Sequence, residues 1–429
     1  MDWDNIVTQP LAILGGPKAV RGELSDELFH WPIVTEEDEW AVVEVLRAGS
    51  MSGTDITRQF ESEYAAWQGT RYALGYCNGT ASLLGAMYGV GLGRGDELIA
   101  PSRTYWASAL QAFSLGASVV FADVDPESLC IDPNDIERHI SPRTKAIMVV
   151  HYHAYPADMD PIMDIARRHN LRVIEDMSHA HGTLYKGRMV GAIGDVSAAS
   201  LMSQKSLAAG EGGILCTDDQ RIYERAIAFG HYERHGDGLT LPDLKAFAGL
   251  PLGGVKHRMN QTVSAMARVQ LKHYPERLAE IDRALTRFWS LLARTPGLHP
   301  HCPPKNSGST MGAWYMPIGH YASQALGGLP VEKFIEAVNA EGGRVGLGLN
   351  FQLHLHPVFN QADIYRDGKP TRNAFSERDL RQDIGALPVT ETLAERVIGI
   401  PYFRRDLPDE IAMFAAAFHK VAVQADKLL

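Results

Sequence analysis

The chain has 429 residues, 45% hydrophobic and 21% charged, with Lys+Arg 41 against Asp+Glu 51 for a formal net charge of −10. That length supports two or three domains whose cores need no disulfide or metal staple. The acidic balance argues against a protein that grips nucleic-acid phosphates through a basic surface. Cys77, Cys130, Cys216 and Cys302 form no CxxC pair, which excludes a zinc ribbon or a thioredoxin motif and suits a reducing compartment. No stretch reaches the ~18 apolar residues of a membrane span. The acidic start Met1-Asp2-Trp3-Asp4 lacks the apolar core of a signal peptide. The expectation is a cytoplasmic protein of enzyme size with no membrane and no nucleic-acid partner.

Residues 1–30 read as an irregular arm. Helical patterns follow at 35–46 and 56–67, the first with Glu36 and Glu37 near its start. An alternation then begins: strand-like at 72–77, helical at 80–90, strand-like at 97–101, helical at 106–114, strand-like at 118–124. It continues with a short helix at 134–139, a β-rich run at 145–152, a helix at 161–168 and a strand at 172–176. Such alternation predicts βαβ units and a mostly parallel sheet. Continuous apolar runs such as Ile147-Met148-Val149-Val150 suit strands buried on both faces. Short β pieces at 196–202 and 213–217 and a long helical pattern at 264–293 lead to a second, smaller α/β domain. Pro303, Pro304 and Ser307-Gly308-Ser309 mark a loop there.

Lys205 is the only charged residue between Val196 and Gly210. A desolvated lysine has a lowered pKa and a free amine suited to a Schiff base; an ordinary surface lysine on an emerging loop fits the local sequence as well. Asp176 ends the apolar strand Val173-Ile174-Glu175. Ligands of open α/β sheets lie beyond the carboxyl ends of strands, so this carboxylate suits a ring nitrogen, a ribose or a metal, and equally a helix cap. Asn78-Gly79-Thr80-Ala81-Ser82 joins a strand to a helix, where small residues let a phosphate reach free amides, or where plain capping occurs. The glycines from Gly89 to Gly95 miss the dinucleotide spacing and lie in the wrong order between helix and strand. Three His-x-His pairs, His151/His153, His179/His181 and His354/His356, raise a metal site that nothing in the sequence assembles.

In order, these pieces resemble the DegT/DnrJ/StrS family of sugar aminotransferases. The landmarks are Gly79-Thr80-Ala81, Gly95-Asp96-Glu97, Pro101-Ser102, Asp123-Val124-Asp125, Pro156-Ala157-Asp158-Met159-Asp160, and Ile174-Glu175-Asp176. Lys205 followed by Ala209-Gly210-Glu211-Gly212-Gly213 completes the set. The resemblance implies a fold type I α/β architecture, with a large mostly parallel sheet domain over 1–275, arm included, and a small C-terminal α/β domain over 276–429. It implies pyridoxal 5'-phosphate as cofactor and no metal. Lys205 resembles the Schiff-base lysine that also shuttles a proton, and Asp176 the partner of the pyridine nitrogen. His179 falls beside the cofactor's phenolic oxygen. Gly79, Thr80 and Ala81, with Ser200, fall at its phosphate, and Tyr105 at the ring-stacking position.

Lys256-His257-Arg258-Met259 stands where the family commonly has Asn-Tyr-Arg-Met in a segment that reaches the other subunit of a dimer. The resemblance therefore implies a homodimer with shared sites, Lys256 toward phosphate and Arg258 toward substrate. His356, in a segment of Pro-Leu-His type, is implied near the substrate. The implied reaction moves an amino group from L-glutamate or L-glutamine to a keto sugar, most commonly nucleotide-linked. A keto-cyclitol or free keto sugar is the alternative acceptor. Two other readings stand beside these, a regulatory protein that keeps the fold and cofactor without turnover, and a metal hydrolase built on the His-x-His pairs.

Overall fold

The computed structural model describes residues 3–429. The described residues form twelve strands: β1 (Tyr72–Tyr76), β2 (Glu97–Pro101), β3 (Ser118–Ala122), β4 (Thr144–Val150), β5 (Arg172–Asp176), β6 (Leu184–Tyr185), β7 (Arg188–Met189), β8 (Val196–Ser200), β9 (Gly213–Thr217), β10 (Leu298–Pro300), β11 (Ile318–Tyr321) and β12 (Val397–Gly399). Seven of them form one sheet in the order β1-β9-β8-β5-β4-β2-β3. Every neighbouring pair is parallel except those made by β9, which runs against both β1 and β8. The expected mostly parallel sheet is therefore present, with one reversed strand. β9 follows β8 through the Lys205 loop at 201–212, which carries no helix to cross over the sheet, and returns antiparallel beside β8.

Helices cover the sheet, as a parallel sheet buried on both faces requires. The helix Gly79–Gly89 is buried nearly all round, through Ala81, Leu83, Leu84, Ala86 and Met87, and packs against β8 and β9. It brings its N-terminus to the carboxyl ends of the central strands, where open α/β sheets bind ligands.

The small unit holds the antiparallel sheet β10-β11-β12 with the helices Val331–Ala340 and Pro408–Val423. One 31-residue helix, Gln261–Leu291, packs on the helices Glu36–Arg47 and Asp55–Gln68 and also on Pro408–Val423. Positions 275 and 276 thus lie in the middle of a continuous helix, at Pro275.

The arm read as irregular contains a short helix, Trp3–Thr8, and two single 3-10 turns, Ala12–Leu14 and Asp26–Leu28. The acidic start at Met1 and Asp2 lies outside the described residues. The expected helix at 106–114 is split into an α-turn at Ala107–Leu110 and a 3-10 segment at Gln111–Leu115. No helix among the described residues is long and apolar enough to cross a membrane.

Candidate active site

A cavity of about 310 Å³ opens at the carboxyl ends of β4, β5 and β8, lined among others by Gly79, Thr80, Tyr105, Asp176, His179, Ser200, Lys205, Tyr315 and Asn350. Seven sequence-predicted residues, far apart in the chain, meet here.

Lys205 stands on the turn between β8 and β9 and is 9% exposed. Its Nζ lies 4.3 Å from the centroid of the Tyr315 ring. Burial pushes its pKa down to about 8, against the opposing pull of the Asp176 carboxylate. Its main-chain carbonyl accepts from Trp31 Nε1 at 2.8 Å. A buried lysine with no carboxylate in contact is poised as a free amine rather than as one half of an ion pair.

Asp176, the last residue of β5, accepts from Ser108 Oγ at 2.7 Å and from the Ser178 N–H at 3.0 Å. Both donors fix the carboxylate while leaving it on the cavity wall. The preceding Glu175 points the other way, as strand alternation requires. It accepts from the N–H groups of Gly191 (2.7 Å), Ile193 (2.9 Å) and Gly194 (2.6 Å) and contacts His151 Nε2 at 2.9 Å. Burial alone would raise the Glu175 carboxyl; His151 and those N–H groups hold it below its usual range. The Glu-Asp pair is thus one buried anchor and one cavity wall.

His179 Nδ1 accepts from the His153 N–H at 3.4 Å, and its ring centroid lies 4.5 Å from that of Tyr315. Burial first, and then the Lys205 charge, push its pKa well below the ordinary value. A neutral ring with Nδ1 accepting carries its proton on Nε2, ready to donate.

The helix start is a close-packed cradle. A Cβ on Gly79 would lie 2.7 Å from Ser200 Cβ and 2.8 Å from its Cα, so only glycine brings the helix N-terminus against β8. The Ala81 N–H donates to Asn78 Oδ1 at 2.9 Å, the ordinary N-cap bond. The amides of Gly79 and Thr80 are left without an acceptor among the described residues, with the positive end of the helix dipole behind them.

Tyr105 is half exposed at the cavity mouth, its ring 5.0 Å from that of Trp106. Lys256 and Arg258 do not line this cavity. Lys256 is exposed, with Nζ 5.7 Å from the Tyr232 ring centroid, and Arg258 donates to Ser52 O at 3.2 Å beside β1. His356 caps the short helix Pro357–Asn360, with Nδ1 accepting from the Val358 N–H at 3.2 Å. It lines a neighbouring cavity rather than that of Lys205.

One or more members of each His-x-His pair are held by structural contacts, His151 by Glu175 among them. His181 bridges Tyr64 OH and Ser200 O, His153 Nδ1 meets Met316 O at 2.8 Å, and His354 sits between Ser102 Oγ and Glu391. No group of three or more metal-ligating side chains occurs among the described residues.

Sequence reasoning missed Ser108, Ser178, Trp31, Tyr315 and Asn350. Asn350 is held by Tyr152, whose OH donates to its Oδ1 at 2.9 Å, and by Arg103, whose Nη1 donates to its carbonyl at 2.7 Å. None of these residues carries a local signal; Ser178 stands two positions from Asp176, but Ser108 lies 68 positions from Asp176 and Trp31 174 positions from Lys205.

The donor set fits pyridoxal phosphate. A depressed-pKa lysine meets an aldehyde, a fixed carboxylate meets a ring nitrogen, and two open amides beside Ser200 meet a phosphate.

Residues 32–415 match the model of the DegT/DnrJ/EryC1/StrS aminotransferase family. The chain is 32% identical over 393 residues to the L-glutamine:2-deoxy-scyllo-inosose aminotransferase of Streptoalloteichus tenebrarius, covering 89% of this chain and 87% of that protein. It is 37% identical over 236 residues to the GDP-perosamine synthase of Caulobacter vibrioides, covering 55% of this chain and 62% of that protein. The crystal structure of DesI in the presence of its TDP-sugar product superposes with a TM-score of 0.78 at 27% identity, covering 97% of each chain. Fold, cavity and relatives agree: the chain belongs to the DegT/DnrJ/EryC1/StrS aminotransferase family and is a pyridoxal-phosphate-dependent aminotransferase.

Proposed function

We propose that this enzyme transfers the amino group of L-glutamine or L-glutamate to the ketone of a sugar or cyclitol, with the residues around Lys205 in the roles described next. The observation that carries the reading is the buried Lys205 amine, 4.3 Å from the Tyr315 ring centroid on a cavity wall shared with Asp176.

Bound pyridoxal phosphate supplies an aldehyde for the amine and a ring that accepts electron density. The chain's own groups do the rest. Lys205 Nζ takes the α-proton of the donor, and its low pKa keeps a useful fraction of the amine neutral near pH 7. Asp176, fixed by Ser108 and Ser178, presents negative charge to a protonated ring nitrogen. His179 donates from Nε2 toward the phenolic oxygen. The Gly79 and Thr80 amides and Ser200 Oγ hold the phosphate, and Tyr105 covers the ring face. Ala81 supports the cradle through its bond to Asn78 rather than by touching phosphate.

Lys256 and Arg258 lie outside their own chain's cavity, which supports a homodimer in which each chain completes the other's site. Mixing Lys205→Ala with Lys256→Ala protein tests this: a shared site restores activity in heterodimers, and a self-contained site with no role for Lys256 leaves Lys256→Ala fully active alone. Residues 1–275 form the large domain and 276–429 the small one in this reading, with the long helix bridging them. A cytoplasmic location fits the four free cysteines.

The reaction itself is tested by loading the protein with pyridoxal phosphate and adding L-glutamine, then L-glutamate. Loss of the bound cofactor's yellow absorbance, with one equivalent of keto acid released, supports transamination. A cofactor spectrum unchanged by both donors leaves a binding protein instead.

A further inference from the structure

Lys205 Nζ makes no hydrogen bond and no ion pair among the described residues, although Asp176 acts on it through space. What it meets is the ring of Tyr315, a residue 4% exposed, with 4.3 Å from Nζ to the ring centroid. An ammonium over an aromatic face is attracted by the negative face of the ring. The His179 ring lies against the same tyrosine, with 4.5 Å between centroids. Tyr315 therefore borders both the amine and the imidazole of the cavity.

The loop that carries Tyr315 is tied at each residue flanking it. Tyr402 OH donates to Ala313 O at 2.6 Å, Trp314 Nε1 donates to Asp282 Oδ1 at 2.8 Å, and His153 Nδ1 donates to Met316 O at 2.8 Å. Trp314 and Met316 adopt left-handed backbone, with φ 50° and 47°. So do His153 and Ala154 on the other side of the tie, with φ 49° and 69°. Non-glycine residues persist in this sparsely populated region where surrounding contacts impose it, and such strain gathers where a side chain has to be aimed. The side chain between the two left-handed residues of this loop is Tyr315.

We infer that the Tyr315 ring is the resting place of the Lys205 amine whenever that amine is not bound to cofactor, with His153 as the positioning residue that fixes the ring through Met316. The inference rests on the aminotransferase reading above and deepens it. A lysine that alternates between attachment and acting as a base is set free in each half-reaction. Its flexible stem then has to be kept near the reacting carbon, because a small loss of placement costs much of the rate. A carboxylate in contact would hold the amine as an ion pair, whereas a ring face holds it weakly and releases it. The charged and titratable groups around Lys205 are Asp176, Glu211, His153, His179 and His181, and Arg404 acts on Tyr315. Burial, with the Lys205 charge and against the Met316 carbonyl, pushes the His153 pKa down to about 4, so removing this ring takes away no charge at neutral pH. Lys256 and Arg258 of the partner subunit, which the proposed dimer brings to this site, are the same in every variant compared below.

The first readout needs no cofactor. Reductive methylation of the cofactor-free full chain, followed by peptide mass spectrometry, gives the pH midpoint at which Lys205 reacts. A ring face favours the ammonium, so its loss moves the midpoint down. Tyr315→Leu is expected about one pH unit below the parent, and Tyr315→Phe, which keeps the face, at the parent value. His153→Leu, which leaves Tyr315 in the chain but unties Met316, is expected to move the midpoint in the same direction by less. The second readout is the single-turnover rate at which L-glutamine bleaches the pyridoxal-phosphate-loaded protein. It is expected to fall about tenfold or more at saturating donor in Tyr315→Leu and to hold in Tyr315→Phe, with the half-maximal donor concentration unchanged in both. A Tyr315→Leu midpoint at or above that of the parent, a Tyr315→Phe protein that behaves as Tyr315→Leu does, or a change confined to the half-maximal donor concentration overturns the inference. Should Tyr315→Leu fail to fold, His153→Leu decides, and a midpoint equal to the parent's overturns the inference. A parent protein bleached by neither L-glutamine nor L-glutamate overturns the aminotransferase reading instead, and the cofactor-free midpoints still test Tyr315.

Discussion

Replacing Gly79 with alanine puts one methyl group where β8 already stands. The new Cβ would lie 2.7, 2.8 and 3.0 Å from Ser200 Cβ, Cα and N. Carbon pairs at their optimum sit about 3.5–4.0 Å apart, so the helix start or the strand must move by roughly 1 Å. Two of the three atoms are backbone, and no side-chain rotation relieves the overlap. Overpacking of this kind costs about 1–3 kcal/mol, and the better helix propensity of alanine returns at most about 1 kcal/mol. The same shift carries the Thr80 amide away from Ser200 Oγ. A hydrogen bond to a charged group is worth about 1.5–3 kcal/mol, so misplacing one weakens pyridoxal phosphate binding about 10- to 100-fold. Titration by absorbance measures this, with pyridoxal lacking the phosphate as internal comparison. Gly236→Ala is the control: no atom lies within 4 Å of its added Cβ, and it is expected to leave binding unchanged. A Gly79→Ala protein that binds pyridoxal phosphate as tightly as its parent, or loses affinity for pyridoxal equally, would refute the cradle.

Other perturbations follow from single contacts. Glu175→Gln keeps the shape but turns an amide NH2 toward backbone donors that now share the carboxylate, and is expected to cost about 3 kcal/mol in denaturant unfolding at pH 7. Because the Glu175 pKa is lowered in the folded protein, its contribution is present above the unfolded value and is lost as pH falls through the folded one. The variant and parent should therefore converge in stability at acid pH, and a gap independent of pH would contradict this. Reductive methylation of cofactor-free protein, read by peptide mass spectrometry, should show Lys205 reacting with a midpoint near its lowered pKa of about 8; a midpoint with the surface lysines would show that burial does not tune it. Trp31→Phe removes the N–H that holds the Lys205 carbonyl while keeping a ring over which the Arg404 guanidinium, now 4.4 Å from the ring centroid, can lie. A severalfold fall in kcat with little change in donor KM is expected; unchanged kcat would dismiss Trp31 as a positioning residue.

Much of the large sheet was legible because its strands are buried on both faces and so read as unbroken apolar runs; the ranges expected at 97–101, 172–176 and 213–217 are those of β2, β5 and β9. The reversal of β9 was not, since strand direction depends on how the connection runs in space and not on the residue pattern of the strand. Lys205 and Asp176 stood out locally, one as a lone charge among small apolar residues, the other as an acid ending a strand. Tyr315, Asn350 and Trp31 did not, because an aromatic ring or an amide in a loop has no periodicity and acquires meaning only from what it touches. The motif at Gly79 was legible as a helix start, whereas the cap that Asn78 forms by accepting from the Ala81 N–H shows only in the fold. The histidine pairs suggested metal only while their partners were unknown; Glu175, Met316, Ser200 and Ser102 are those partners.

The most direct measurement is the spectrum of the cofactor-loaded protein during addition of L-glutamine and then of a keto-inositol. Stoichiometric loss of the yellow band with the donor and its return with the acceptor are expected, with neither change in Lys205→Ala protein of unaltered melting temperature. A band that persists in the parent with both glutamine and glutamate, or that cycles equally well without Lys205, would contradict an aminotransferase built on that residue.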